Sequence, residues 1–215
     1  MIVLGLDTAT RIASVALDGE ERCSRSSERD ADLLLRIDEL CRARGVAPAQ
    51  LDAVAVGAGP GSFTGLRIGM ATAKGIAFAA GKPLWAVSSL AALAWRARGQ
   101  ADVVVAVLDA RRGELYAGCY DGGTLAPLCD ERALAPGELA DWAAEIAAGR
   151  ATCFVSDVAL AEGWQIATPS ALGVIELALA GARVDVVVGG APAYLRPAEA
   201  EVKYPDGVPG ALRKR

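Results

Sequence analysis

One pattern occurs twice along this chain, and it limits the fold more than any other feature. Ile2-Val3-Leu4-Gly5-Leu6-Asp7 is a continuous apolar run ending in a carboxylate, which is how a buried strand reads. Residues 12–17 give a second strand, and Asp18-Gly19 is a hairpin turn. Val103-Val104-Val105-Ala106-Val107-Leu108-Asp109 repeats the first run. Residues 114–120 follow as a strand and Asp121-Gly122-Gly123 as the turn. The period is about half of the 215 residues, so the chain is an internal duplication.

The halves continue in parallel. Residues 21–27 and 125–134 each supply a third strand. A helix follows in both. Asp30 caps the first, whose apolar face is Leu33, Leu34, Ile37, Leu40 and Cys41. Pro136 begins the second, which runs through Leu139, Trp142, Ala143 and Ile146. Then come a strand (53–56; 153–156) and a helix (64–80; 170–180), so each half reads β-β-β-α-β-α. The first half adds a short strand at 84–87 and a helix from Ser88 or Ser89 to Arg98. The expected division is a first lobe over 1–100, a second over 101–196 and a flexible tail over 197–215.

Composition narrows the chemistry. The chain has no histidine, so it lacks the commonest general base and metal ligand. Five cysteines without a Cys-x-x-Cys read as reduced, buried thiols, and no metal site is expected. A net charge of −4 gives no global attraction to nucleic acid. No apolar run reaches the roughly 18 residues of a spanning helix, and the start carries no basic leader. A soluble, cytoplasmic protein without a membrane partner is expected.

The copies also differ where it matters for chemistry. Between its later strand and helix, the first half carries Gly57-Ala58-Gly59-Pro60-Gly61-Ser62-Phe63-Thr64-Gly65-Leu66-Arg67-Ile68-Gly69. A strand, glycine loop and helix in that order expose backbone N–H groups at a positive helix end. Two readings stand. The loop is a phosphate cradle, with Asp7, Thr8, Gly59, Gly61, Ser62, Thr64 and Arg111 as candidate nucleotide or anion contacts. Alternatively it is a tight turn whose glycines admit a neighbouring backbone or a partner. No lysine follows in P-loop register, which favours the second.

The glycine segment is joined by Leu6-Asp7-Thr8-Ala9-Thr10, Ser14-Val15-Ala16-Leu17, Ala73-Lys74-Gly75, Val87-Ser88-Ser89-Leu90, Leu108-Asp109-Ala110-Arg111-Arg112-Gly113-Glu114 and Tyr194-Leu195-Arg196-Pro197. Together, in this order, they resemble the TsaB (YeaZ) family of bacterial tRNA threonylcarbamoyladenosine biosynthesis. The resemblance implies an α/β fold of the actin/hexokinase/Hsp70 (ASKHA) type with two duplicated lobes. It implies a non-catalytic subunit that pairs with the catalytic paralogue TsaD and, with the ATPase TsaE, serves tRNA modification. Many members have a histidine shortly before the first helix; here the region is Ser26-Ser27-Glu28-Arg29-Asp30.

On that footing the partner surface is expected on the first two helices, at Leu33, Leu34, Leu35 and Ile37 and at Gly65, Gly69, Thr72 and Ile76. The last four share one smooth helical face. Bulk at Gly69 is expected to abolish pairing and leave the lobe folded. Alone, the same surface is expected to form a homodimer. No cofactor of its own is implied; ATP or ADP at a shared interface is left open. Two alternatives remain: an independent ATP-dependent phosphotransferase or ATPase, and a serine peptidase using Ser62 with Lys74 or Lys82 as base.

Overall fold

The computed structural model describes residues 1–25 and 31–186. The Asp30 cap, the segment Tyr194-Leu195-Arg196-Pro197 and the tail at 197–215 lie outside them. The first half builds β1 (Val3–Asp7), β2 (Ile12–Leu17), β3 (Glu20–Arg25), α1 (Ala31–Arg44), β4 (Ala53–Gly57), α2 (Phe63–Ala80), β5 (Leu84–Val87) and α3 (Ser89–Ala94). The second builds β6 (Val103–Arg111), β7 (Glu114–Asp121), β8 (Arg132–Leu134), α4 (Leu139–Ala147), β9 (Thr152–Ser156), β10 (Gln165–Ile166), α5 (Ala171–Leu179) and β11 (Val184–Asp185).

The two sheets repeat one topology. The first has the order β11-β5-β4-β1-β2-β3 and the second β10-β9-β6-β7-β8. In each, the leading strand is antiparallel to the hairpin strand after it and parallel to the strand after the helix. This is the α/β ASKHA-type arrangement.

Alternation along the strands sorts side chains into layers. Leu4 and Leu6 of β1, with Val54 and Val56 of β4, face outward against Leu33, Ile37 and Leu40 of α1 and Met70, Ala73 and Ala77 of α2. Val103, Val105 and Val107 of β6 face Leu139, Trp142 and Ala143 of α4. The opposite faces of both sheets share a central core with α3 and α5, built from Val3, Ala55, Leu90, Leu93, Val104, Leu108, Val174 and Leu177. The layers therefore run helix, sheet, helix, sheet, helix.

The central helices are exchanged. α3 belongs to the first half and packs on β6 and β7; α5 belongs to the second half and packs on β1, β2 and β4. Gly5 makes the second contact possible, since a Cβ there would stand 2.5 Å from the backbone oxygen of Ala171.

Several expectations need correction. Leu34 does not lie on the core stripe of α1; it is 58% exposed, because the stripe runs through Leu33, Ile37, Leu40 and Cys41. The third strand of the second half shrinks to β8 plus a single bridge between Tyr120 and Pro127. Pro127 has no N–H for a ladder, and Leu125 turns the chain with a φ of 61°. Pro136 opens a 3-10 turn over Pro136–Glu138, and α4 starts after it. The cysteines are free, yet Cys23 is exposed. No helix among the described residues is long and apolar enough to cross a membrane.

Gly5→Val should lower stability by about 2 kcal/mol, because the obstructing atom is helix backbone. Gly75, with open space around it in α2, should accept alanine with a gain of up to about 1 kcal/mol. Urea denaturation of both variants against the parent chain checks the contrast.

Candidate functional site

The carboxyl ends of β1 and β4 meet the start of α2, as the glycine segment requires. Ser62 caps α2, its Oγ accepting from the Gly65 N–H at 3.4 Å. The turn after β1 lies directly against this loop. Ser62 N–H donates to the Ala9 oxygen at 2.7 Å. Thr8 Oγ1 donates to the Gly65 oxygen at 2.8 Å.

The glycines are the surface on which that turn rests. A Cβ on Gly61 would lie 2.5 Å from the Ala9 oxygen. On Gly65 it would lie 2.1 Å from the Thr8 oxygen, and on Gly69 2.2 Å from Thr8 Oγ1. Three glycines at every fourth residue thus face the chain's own Thr8-Ala9 turn, Gly61 and Gly65 its backbone and Gly69 the Thr8 side chain. Of the two sequence readings, the geometry is that of a close-packed turn. Gly69 is buried in this contact, so its expected role in an open docking face is corrected. Bulk there collides with Thr8 before it can reach a partner.

Asp7 sits beneath the same turn and is 1% exposed. Its Oδ1 accepts from Ala9 N–H at 2.8 Å and its Oδ2 from Ser89 Oγ at 2.7 Å. Ser89 Oγ in turn accepts from Gly59 N–H at 3.2 Å. Gly57 leaves the room, since a Cβ there would stand 1.8 Å from Asp7 Oδ2. One carboxyl therefore joins β1, the glycine loop and the start of α3. Burial pushes its pKa up to about 6, against the lowering effect of the Ala9 and Ser89 hydrogen bonds.

The second-half counterpart is unlike it. Asp109 is exposed. Its Oδ1 accepts from Arg111 N–H at 2.7 Å, and its own N–H donates to Asp157 Oδ1 at 3.0 Å. Burial raises the Asp157 carboxyl above its ordinary value. Arg111 is exposed, at a φ of 61° in the hairpin turn. The candidate nucleotide contacts thus divide: Asp7, Thr8 and Gly59 are buried, Gly61 and Ser62 are half-buried, and Thr64 and Arg111 are exposed. No group of three metal-ligating side chains occurs among the described residues.

The peptidase alternative fails on distance. Ser62 caps the helix whose far portion carries Lys74, about 17 Å along the axis, and Lys82 lies beyond the helix end.

The expected partner residues also divide. Leu33 and Ile37 belong to the core, with Gly69. Leu34 and Leu35 are 58% and 51% exposed, while Gly65, Thr72 and Ile76 are half-buried. Leu34, Ile37, Cys41 and Val46 with Ile76 line a groove of about 420 Å³ between α1 and α2. Phe78 is 91% exposed on α2, away from the face of Ile76, and has no sequence signal, because a lone aromatic near a helix end carries no period. Ser89 and Gly57 were missed for a similar reason: their partner, Asp7, is distant in sequence.

The family model for TsaD, tRNA N6-adenosine threonylcarbamoyltransferase, matches residues 24–190. The TsaB protein of Escherichia coli is 41% identical over 126 residues, 54% of this chain and 53% of that protein. TsaB of Bacillus subtilis is 31% identical over 150 residues, 66% of this chain and 64% of that one. The match thus spans about half the length of the first of these relatives. A crystal structure from Pseudomonas aeruginosa, an uncharacterized protein with similarity to peptidase YEAZ, superposes with a TM-score of 0.77. It is 33% identical, over 91% of this chain and 99% of that chain.

Two outcomes are expected from this geometry. The folded protein holds the Asp7 proton more tightly than the unfolded chain, whose value is near 3.8. The resulting stability is full below that value and is lost as pH rises through about 6. Between pH 4 and pH 7 the parent chain should lose about 2 kcal/mol relative to Asp7→Asn, measured by urea denaturation at each pH. Gly69→Leu should lower the melting temperature of the isolated protein in a thermal scan, with or without a partner present.

Proposed function

The chain belongs to the TsaB/YeaZ family, and from that premise we propose that it acts in tRNA threonylcarbamoyladenosine biosynthesis as a non-catalytic scaffold subunit. Its partner is a catalytic paralogue of the TsaD type, docked on α1 and α2. The ATPase TsaE and tRNA join through the resulting complex, in the cytoplasm. The proposal gives this chain no cofactor of its own. ATP or ADP belongs, in this reading, at the surface shared with the paralogue.

The observation that carries the reading is the apolar flank. Leu34 and Leu35 point outward from a helix whose opposite side is already satisfied by the core. The α1–α2 groove beside them is lined mainly by carbon. Two exposed leucines at a groove of this kind lose free energy in water that a facing helix would recover. In this reading the same flank forms a homodimer when the paralogue is absent. Asp7 supports the non-catalytic part of the reading: both its oxygens are engaged by the chain itself, and the glycines that would wrap a phosphate face Thr8 and Ala9.

Reconstitution tests it. The protein is combined with the TsaD paralogue, TsaE, threonylcarbamoyl-adenylate and tRNA, and modified adenosine is measured. Omission of the protein should abolish modification. The double variant Leu34→Glu/Leu35→Glu should fold normally and bind the paralogue about 100-fold more weakly. Equal modification without the protein, or unchanged pairing of the double variant by size-exclusion chromatography, would overturn the proposal.

A further inference from the structure

The polar interior holds one cluster that neither the docking flank nor the glycine loop uses. Glu21 lies on β3, opposite Ala16 of β2, and its side chain is 12% exposed. Its Oε1 accepts from Ser14 Oγ at 2.7 Å, from Ser170 Oγ at 2.8 Å and from the Ala171 N–H at 2.7 Å. Its Oε2 pairs with Arg96 Nη2 at 2.9 Å. Burial alone would raise this carboxyl, but the Ser14 and Ser170 hydroxyls, the Arg96 charge and the Ala171 amide together hold it below the ordinary value.

These partners come from structurally opposed places. Ser14 is on the first sheet. Ser170 and Ala171 form the start of α5, which returns from the second half onto the first sheet. Arg96 is in the 3-10 turn that ends α3, and α3 packs on the second sheet. Arg96 continues into the second half. Its Nε donates to the Thr168 oxygen at 3.2 Å, and its own backbone oxygen accepts from Gln165 of β10 at 3.1 Å. The other end of α3 is held from the second half as well. Glu131 accepts from Tyr120 at 2.6 Å and from Ser88, whose Oγ caps α3 at Ala91.

We propose that Glu21 is a latch that fixes the two lobes in one relative orientation. α5 packs on the first sheet together with Glu21, whereas α3 packs on β6 and β7, so a rotation of one lobe against the other moves Arg96 relative to the β2–β3 hairpin. Such a rotation would strip a buried carboxylate of its cation, which is strongly unfavourable. Domain closure in a two-lobed protein depends on segments that absorb rotation at low cost. Here the junction is tied by charge-assisted hydrogen bonds. The hairpin carries α1 on its outer face, so the latch also sets where α1 stands relative to the second sheet. The inference is independent of which partner α1 meets.

Hydrogen exchange by mass spectrometry on the isolated full chain, with small-angle scattering, tests it. Arg96→Met keeps the α5 cap intact and cuts the tie to α3. It should raise exchange in α3 by about tenfold or more and increase the radius of gyration, with α2 protection unchanged. Glu21→Ala should do the same and also release the first turn of α5. Faster exchange confined to the first turn of α5 would make Glu21 an ordinary helix cap and overturn the latch. So would a folded Arg96→Met protein with parental exchange in α3 and parental scattering. If Glu21→Ala does not fold, Glu21→Gln, which removes the charge and leaves the Arg96–Thr168 bond in place, decides by the same readout.

Discussion

The fold of the first half depends on one close approach of backbone to backbone. The turn Thr8-Ala9 lies in van der Waals contact with the start of α2, at a distance that any side chain at Gly61, Gly65 or Gly69 would prevent. From that contact the rest follows. Thr8 bonds Gly65, Ala9 bonds Ser62, and Asp7 beneath them bonds Ser89. Strand β1, the glycine loop and α3 are thereby fixed to one another. A loop that resembles an anion cradle in one dimension is, in three, a bed for the chain's own turn.

The duplication explains the architecture, and the divergence of its copies explains the asymmetry of the molecule. Each sheet needs helices on both faces, and each half contributes one helix to the central layer. The two central helices cross over, so the halves share a core and do not possess two separate ones. The first copy keeps a buried aspartate at the end of its leading strand; the second keeps an exposed one. Only the first has a pair of helices on its outer face, and only their flank exposes adjacent leucines among the described residues.

Much of this was legible in the residues. Strands β1, β2, β4, β5, β6, β7 and β9 announce themselves by apolar runs, and α2 by the glycine segment before it. The rest was hidden for physical reasons. β10 and β11 have two residues each, too few to show a period. Leu34 looked like core because it adjoins Leu33 and lies near Ile37, and only the angle of α1 on β2 decides which leucine turns inward. Glu21 gave no signal, since it bonds residues up to 150 positions away. In sequence Gly69 belongs to a smooth helical face, although the atom that needs the space, Thr8 Oγ1, belongs to the same chain.

The return of the second half onto the first sheet has a consequence at the sheet margin. β11 pairs antiparallel with β5, Val184 opposite Ala86 and Asp185 opposite Trp85. Without it, β5 would present a bare row of amides and carbonyls beside an apolar strand, a template for unwanted strand addition and fibrous growth. The short, exposed β11 blunts that margin, and its Asp185 places a charge there. The margin at β5 is thereby closed to the kind of association that does not stop, by a strand that the other half of the chain supplies.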